Sequence, residues 1–384
     1  MKAKIEKFVP GGQGIATLED GKKAFIWGAL PNEEIEFDVT KSKKNYCEGI
    51  TTKILTASPF RTEPKDKCFL ATSPWQILDY EEELKQKQLL VAECFRQQHL
   101  DIEVLPTITD NKDYYYRNKM EYSLYWSHDD NLIHLAFHNR GTHRKIPIEH
   151  SSIERPEIFT EAQRIIDNLN AKHAEARTYQ SLLVRCNQQG KVSAALFENG
   201  KSHPIMEPLE DNLNGYKYSY SPNGFFQINL PVYELVLQEI VKHINTQKVL
   251  DLYAGVGSIG LSVARDKNLT LVEVNSAAYE EMQNNAKNTK TECILAKSED
   301  VTDYIVPDCT VILDPPRAGC DQKLIDALIR IRPTKIIYLS CNPITQARDI
   351  ALLRNYYQIA PLQPYNFFPH TPHIENLAIL TRLD

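Results

Sequence analysis

The spacing of apolar residues changes rhythm twice along the chain, and the changes divide it into three regions. Residues 1–57 carry short apolar runs between glycine turns, at Lys4–Val9, Gly11–Ala16, Lys23–Trp27 and Ile35–Val39. The last of these alternates strictly with acidic residues. Period-two segments at this spacing predict a small antiparallel β-barrel. Ser58-Pro59 and the charged stretch Arg61–Lys67 read as a linker. Within residues 58–210 the clearest element is a helix over Tyr80–Gln98, with Leu84, Gln88, Val91 and Phe95 spaced for one face. Strand-like runs follow at Met120–Trp126, Leu132–Phe137 and Val192–Phe197, so this region is expected to be α+β. Residues 211–384 alternate the two rhythms. Pro231 suits the first turn of a helix that continues through Val232, Leu235, Val236, Ile240 and Ile244. Strands are predicted at Lys248–Leu252, Leu269–Val274, Val311–Asp314 and Lys335–Leu339. This alternation predicts an α/β domain with a doubly wound, largely parallel sheet.

Composition adjusts this picture in three ways. A chain of 384 residues with 42% hydrophobic content makes two or three domains and needs no disulfide or metal staple. Its eight cysteines form no CxxC pair and read as reduced thiols. The net charge of −6, from 44 Lys+Arg against 50 Asp+Glu, leaves no global excess for binding phosphates. A local basic face remains available in Lys41, Lys43 and Lys44 beside Tyr46, and in Arg117, Lys119, Arg140, Arg144 and Lys145. There is no signal-like start and no apolar run of about 18 residues, so a cytoplasmic protein without membrane contact is expected. Nothing in the pattern asks for a protein partner.

Candidate chemistry concentrates in the third region. Asp251–Gly260 follows the first strand and ends in Gly255-x-Gly257-x-x-Gly260, a Rossmann-like fingerprint that lets backbone approach a ligand closely. Glu273 closes the next strand, where a carboxylate can take both ribose hydroxyls. A nicotinamide dinucleotide would fit these features too. Asp251 at the strand end, a second acidic turn at Asp314-Pro315-Pro316-Arg317, and the lack of a partner domain for a nicotinamide favour S-adenosyl-L-methionine. Ser340-Cys341-Asn342-Pro343 closes the strand before it, and the carboxyl ends of parallel strands are where such folds place ligands. Glu375 sits in the Pro/His-rich segment Phe368–Leu380, which enters the sheet late.

Together, Gly224–Asn229, Asp251–Gly257, Asp314–Gly319, Ser340–Pro343 and His370–Glu375 resemble the motifs of the bacterial RNA 5-methyluridine methyltransferases, in order and spacing. The resemblance implies methylation of uracil C5 with Cys341 as nucleophile and Glu375 as base. Uracil C5 is too weak a nucleophile to attack a methyl sulfonium. A thiolate adding at C6 makes C5 enolate-like, and a base must later remove the C5 proton so that the thiolate can leave. By the same resemblance Gln227, Tyr253, Ser258, Glu273 and Asp314 line the cofactor and target pocket, and Phe225 stands near a flipped uracil.

Residues 1–57 are similar to a TRAM domain, an RNA-binding barrel, through Gly28–Glu33. Residues 58–210 resemble the family's RNA-contacting domain, through Tyr116–Lys119 and Arg140–Arg144. Several relatives hold an iron–sulfur cluster on four cysteines. Here only Cys68 matches; Phe69–Gln76 and His150-Ser151 lack the others, so no cluster and no metal is expected. Lys297 replaces a polar or acidic cofactor contact of relatives. The attached barrel points to a uridine of 23S ribosomal RNA, with the T-loop uridine of transfer RNA as the alternative. Cytosine-5 methylation and amino-group methylation fit the cysteine or its context less well. A catalytically silent RNA-binding protein is the reading from a different class.

Overall fold

The computed structural model describes residues 1–142, 144–175, 178–198, 201–205 and 207–384. His143, within the Arg140–Arg144 segment, lies outside them. Three larger sheets form. The first joins Lys2–Lys4, Lys7–Phe8, Gly14–Thr17, Lys23–Trp27, Glu34–Ser42 and Tyr46–Thr56. It is antiparallel except where Lys23–Trp27 runs parallel to Tyr46–Thr56. The second joins, in spatial order, Lys201–Ile205, Val192–Glu198, Ser181–Cys186, Lys119–Trp126, Ile133–His138 and Lys145–Pro147. Helix Pro156–Ala171 buries Ile158, Ala162 and Ile166 against it.

The third sheet runs Glu292–Leu295, Asn268–Glu273, Lys248–Leu252, Cys309–Leu313, Lys335–Ser340, Glu375–Arg382 and Tyr357–Ile359. The first five are parallel, and Glu375–Arg382 inserts antiparallel. This is the expected α/β architecture. Strand order reverses between Lys248–Leu252 and Cys309–Leu313, and a crevice at such a switch point is where open α/β sheets bind ligands. Asp251 is the penultimate residue of the first of these strands, and Asp314 directly follows the second.

Two sequence expectations are corrected. Arg61–Lys67 is a fixed segment and not a free linker. Arg61 donates to both carboxylate oxygens of the buried Glu33, at 2.6 and 2.7 Å, and Asp66 is itself buried. The helix Tyr80–Gln97 buries Glu83, Lys87, Leu90, Val91, Cys94 and Phe95; Val91 and Phe95 lie on the predicted face, while Leu84 and Gln88 are only half-buried and Glu83 and Lys87 go inside beside them. It packs with Leu328, Ile350 and Leu353 in the core of the third sheet. Glu83 and Lys87 can join the buried face because they satisfy each other at 2.9 Å with both side chains fully buried. Burial of charges without such a partner is costly.

Candidate active site

The chain turns sharply after Leu252. Tyr253, Gly255 and Gly257 have φ of 62°, 57° and 83°. A tyrosine there is strained by its Cβ, and such strain persists only where the surroundings hold it. Glu273 supplies part of that hold. Its Oε2 accepts the Gly255 N–H at 2.8 Å, and its Oε1 accepts those of Val274 and Asn275 at 2.9 and 2.7 Å. Asp251 Oδ2 accepts the Gly260 N–H at 2.8 Å, which fixes the start of helix Ser258–Ala264. The glycines differ in purpose. A Cβ on Gly260 would lie 2.5 Å from Leu271, so that glycine permits close packing of helix on strand. A Cβ on Gly255 would meet nothing within 4 Å, so that one leaves backbone open to a ligand.

Beside this turn lies a cleft of about 740 Å³ walled by Tyr253, Glu273, Val274, Lys297, Pro316 and Gly319, among others. Asp251 Oδ1, beneath the turn, is buried without a hydrogen-bond partner. Burial, with Asp314 and Glu273 nearby, pushes its carboxyl up to about 8.

The second half of the site is built across strands. Lys335–Ser340 pairs antiparallel with Glu375–Arg382, with Ser340 opposite Asn376. One step further in that register sets Cys341 against Glu375. Cys341 stands between the strand end and helix Pro343–Leu353, whose N-cap Asn342 accepts the Ile344 N–H at 3.2 Å. Asn342 Nδ2 and Thr345 Oγ1 also donate to the Arg317 carbonyl, at 2.8 and 3.2 Å, tying the Asp314–Gly319 loop to this corner.

A helix N-terminus and the Arg317 guanidinium favour thiolate at Cys341. Burial, then the charges of Glu375 and Asp314, outweigh them and push the thiol up to about 11. The free protein therefore holds a protonated thiol at neutral pH. Burial also raises the Glu375 carboxyl, which Asp314 raises further, and burial raises Asp314. Two carboxyls sharing a buried site hold one proton between them, so the pair offers both an acid and a base beside the sulfur.

Two loops complete the arrangement from a distance. The Asn223–Ile228 backbone is held by residues of the second sheet. Asn118 Nδ2 donates to the Gln227 carbonyl at 3.1 Å, and Lys119 Nζ donates to the Asn223 and Gly224 carbonyls, both at 3.2 Å. Arg185 reaches the carbonyls of Gly224, Phe226 and Gln227 at 3.2, 2.6 and 3.3 Å. The Asn366–His370 loop, five residues before Glu375, is held by the buried pair of the Tyr80–Gln97 helix. Glu83 accepts the His370 N–H at 2.9 and 3.1 Å, and Lys87 donates to Asn366 Oδ1 at 2.6 Å and to the Phe368 carbonyl at 3.1 Å.

The structure thus places Tyr253 and Glu273 in the cleft wall, and Cys341, Glu375 and Asp314 in one cluster. Ser258 is outside that wall, its Oγ 2.8 Å from the Tyr233 hydroxyl. Gln227 is buried on the Asn223–Ile228 loop, while Phe225 is 73% exposed. Of the expected basic strip, Arg140 donates to the Leu70 carbonyl and stacks 4.1 Å over Trp27. Lys145 donates to the Leu124 carbonyl at 2.8 Å. Lys119, as above, holds a loop. These cations are committed inside the fold.

Around Cys68, the buried side chains of Asp66, Ser73, Gln76 and Ser152 hydrogen-bond to one another, with Gln76 Nε2 2.8 Å from Asp66 and 2.7 Å from Ser73. Among the described residues, no group of three His, Cys, Asp or Glu side chains is arranged to hold a metal ion.

Comparison with known proteins settles the family. A Lactiplantibacillus plantarum protein described as an RNA methyltransferase is 31% identical over 97% of this chain and 94% of its own length. One from Enterococcus faecalis is 30% identical over the same shares. The profile of the tRNA (uracil-5-)-methyltransferase family matches residues 265–383. The chain belongs to the family of RNA uracil-5-methyltransferases. Its fold agrees. The crystal structure of Pyrococcus abyssi tRNA (uracil-54, C5)-methyltransferase, in complex with S-adenosyl-L-homocysteine, superposes with a TM-score of 0.79 over 99% of both chains, at 24% identity. No helix of the described residues is long and apolar enough to cross a membrane.

Sequence reasoning did not assign Arg317, Glu83, Lys87 or Arg185. Arg185 had a readable signal, since it is a charge placed among the apolar residues of a strand.

Proposed function

We propose that this family member methylates C5 of a uridine in RNA, with S-adenosylmethionine as methyl donor, Cys341 as nucleophile and Glu375 as base. The observation that carries the reading is the register of Lys335–Ser340 on Glu375–Arg382, whose continuation past the Ser340–Asn376 pair brings Cys341 opposite Glu375, one strand away from the switch point. The cleft fits the donor. Glu273 keeps acceptor capacity for ribose hydroxyls beyond its three backbone bonds, Gly255 leaves backbone open, and the orphan Asp251 oxygen lies under the turn. When bound, S-adenosylmethionine supplies an electrophilic methyl group.

The protein's own steps then follow. The ionised member of the Asp314–Glu375 pair takes the Cys341 proton and passes it to solvent, which leaves Glu375 ionised for the later step; Arg317 steadies the thiolate, and sulfur adds to uracil C6. After C5 has gained the methyl group, Glu375 removes the C5 proton, and expulsion of Cys341 restores the ring. Phe225 and Gln227 face the target base and cofactor from the Asn223–Ile228 loop.

Large-subunit ribosomal RNA is the proposed substrate, from the resemblance of residues 1–57 to a barrel more usual on ribosomal RNA enzymes. One observation favours the transfer RNA T-loop as a second reading. The Pyrococcus abyssi protein shares the full-length architecture over 99% of both chains. Nucleoside mass spectrometry decides. Ribosomal and transfer RNA from a host lacking 5-methyluridine are incubated with protein and S-adenosylmethionine, alongside Cys341→Ala. The proposal expects 5-methyluridine in one pool, lost in the variant. No methylated uridine in either pool leaves the chain as an RNA-binding protein without catalysis.

A further inference from the structure

Arg185 lies in the apolar strand Ser181–Cys186 and is fully buried. No carboxylate pairs with it among the described residues. The acid nearest in character, Asp211, is committed to the Tyr220 hydroxyl at 2.6 Å and the Gln188 N–H at 2.7 Å. The guanidinium lies 4.7 Å from the Tyr220 ring centroid and 5.7 Å from that of Phe226. Every hydrogen bond it makes goes to a carbonyl of one loop, those of Gly224, Phe226 and Gln227. Its Nε has no partner.

A buried cation with no direct ion pair, drawn to the Asp211 carboxylate only from a distance, is a poor stabiliser, because an apolar side chain of like volume avoids the desolvation cost. What the guanidinium supplies, and methionine cannot, is a planar fork that fixes successive carbonyls. The residue between the fixed carbonyls is Phe225, 73% exposed. A large aromatic ring is therefore held out to solvent on an immobilised backbone, the arrangement of a ring waiting for a planar partner. Asn118 and Lys119, at the start of the neighbouring strand, hold the same loop.

We infer that Arg185 is a positioning residue for the methylation reaction, fixing the Gly224–Gln227 backbone so that Phe225 and Gln227 meet the target base and cofactor in reacting geometry. This rests on the function proposed above. Arg185 touches neither substrate nor cofactor, and it acts through the loop.

The test compares wild type with Arg185→Met and Arg185→Lys in single-turnover methylation of the RNA pool that wild type modifies. Melting temperature, S-adenosylhomocysteine affinity and RNA affinity are read alongside. For Arg185→Met the expected result is a single-turnover rate down about 100-fold, the scale of a misplacement near 1 Å, with RNA affinity changed less than about threefold. Arg185→Lys should recover part of the rate, since an ammonium can still donate to these carbonyls. Should Arg185→Met not fold, Asn118→Leu removes the separate hydrogen bond to the Gln227 carbonyl and should show the same split. A folded variant with the wild-type rate overturns the inference. So does a loss confined to melting temperature, or one confined to RNA affinity. Absence of methylation by wild type instead overturns the proposed function, and this inference with it.

Discussion

The cleft beside Tyr253 and the cluster around Cys341 lie on two sides of one loop, Asp314–Gly319, yet they are assembled differently. The cleft's turn, its carboxylate and its brace come from a single βαβ unit, Lys248–Glu273, whose strands pair in parallel register. Its hydrogen bonds link Gly255 to Glu273 and Gly260 to Asp251, all within that unit. The cluster instead needs a strand that arrives antiparallel from the end of the chain and a loop held by a helix far earlier in sequence. Lys87 reaches Asn366 across 279 positions. The cofactor side is thus local, and the nucleophile side depends on long-range packing. Perturbing the Tyr80–Gln97 helix should therefore damage chemistry while sparing cofactor binding.

The largest effect that sharpens this contrast is expected from Glu375→Gln. Loss of the base should slow turnover about 10²–10⁴-fold while S-adenosylhomocysteine still binds, and a protein–RNA covalent complex should accumulate on denaturing gels. Wild-type turnover in that variant would remove Glu375 from the mechanism. Next comes Lys87→Met, which leaves the buried Glu83 without its partner and loosens the loop ahead of Glu375. Stability should fall by about 3–5 kcal/mol and the single-turnover rate by about 100-fold, with cofactor affinity in the folded fraction unchanged. A drop in cofactor affinity of similar size would break the comparison. On the other side of the loop, Glu273→Gln should weaken S-adenosylhomocysteine binding roughly 10–100-fold by calorimetry, the value of hydrogen bonds to a charged group. The same variant should leave iodoacetamide labelling of Cys341 at the wild-type rate.

The smallest expected effect concerns pH. With its thiol near 11, Cys341 loses its proton as pH rises, so the thiolate fraction in the free protein should grow about tenfold per unit between pH 7 and 9. Peptide-resolved alkylation at Cys341 should follow that slope. A plateau already at pH 7 would mean that Arg317 and the helix N-terminus outweigh burial and the two carboxylates.

The same division separates what was legible in the sequence from what was not. Strands such as Lys248–Leu252 and Lys335–Ser340, the glycine turn and Glu273 were readable because each follows from local periodicity or a short motif. Cys341 and Glu375 were named from motif resemblance. Their opposition depends on Glu375–Arg382 pairing with Lys335–Ser340, which no local pattern encodes. The first half of the helix face was misplaced, at Leu84 and Gln88 and not at Val91 and Phe95, because Glu83 and Lys87 count as polar in any amphipathic template, although each neutralises the other when buried. Arg61–Lys67 looked like a linker for a related reason. Its charge density hid a bidentate Arg61–Glu33 pair, which exists only once residues 1–57 have folded, and a buried Asp66 contact, which exists only once Ser152 has been brought to it.

The central claim, that Cys341 attacks the uracil ring, is tested most directly by trapping. RNA from the methylated pool is prepared with 5-fluorouridine, whose C5–F bond a base cannot deprotonate, and incubated with protein and S-adenosylmethionine. Digestion and mass spectrometry then locate the nucleotide on the protein. The account predicts one adduct, on the peptide containing Cys341, carrying the transferred methyl group and absent from Cys341→Ala. An adduct on another cysteine, or methylation of unmodified RNA by Cys341→Ala at the wild-type rate, would contradict it.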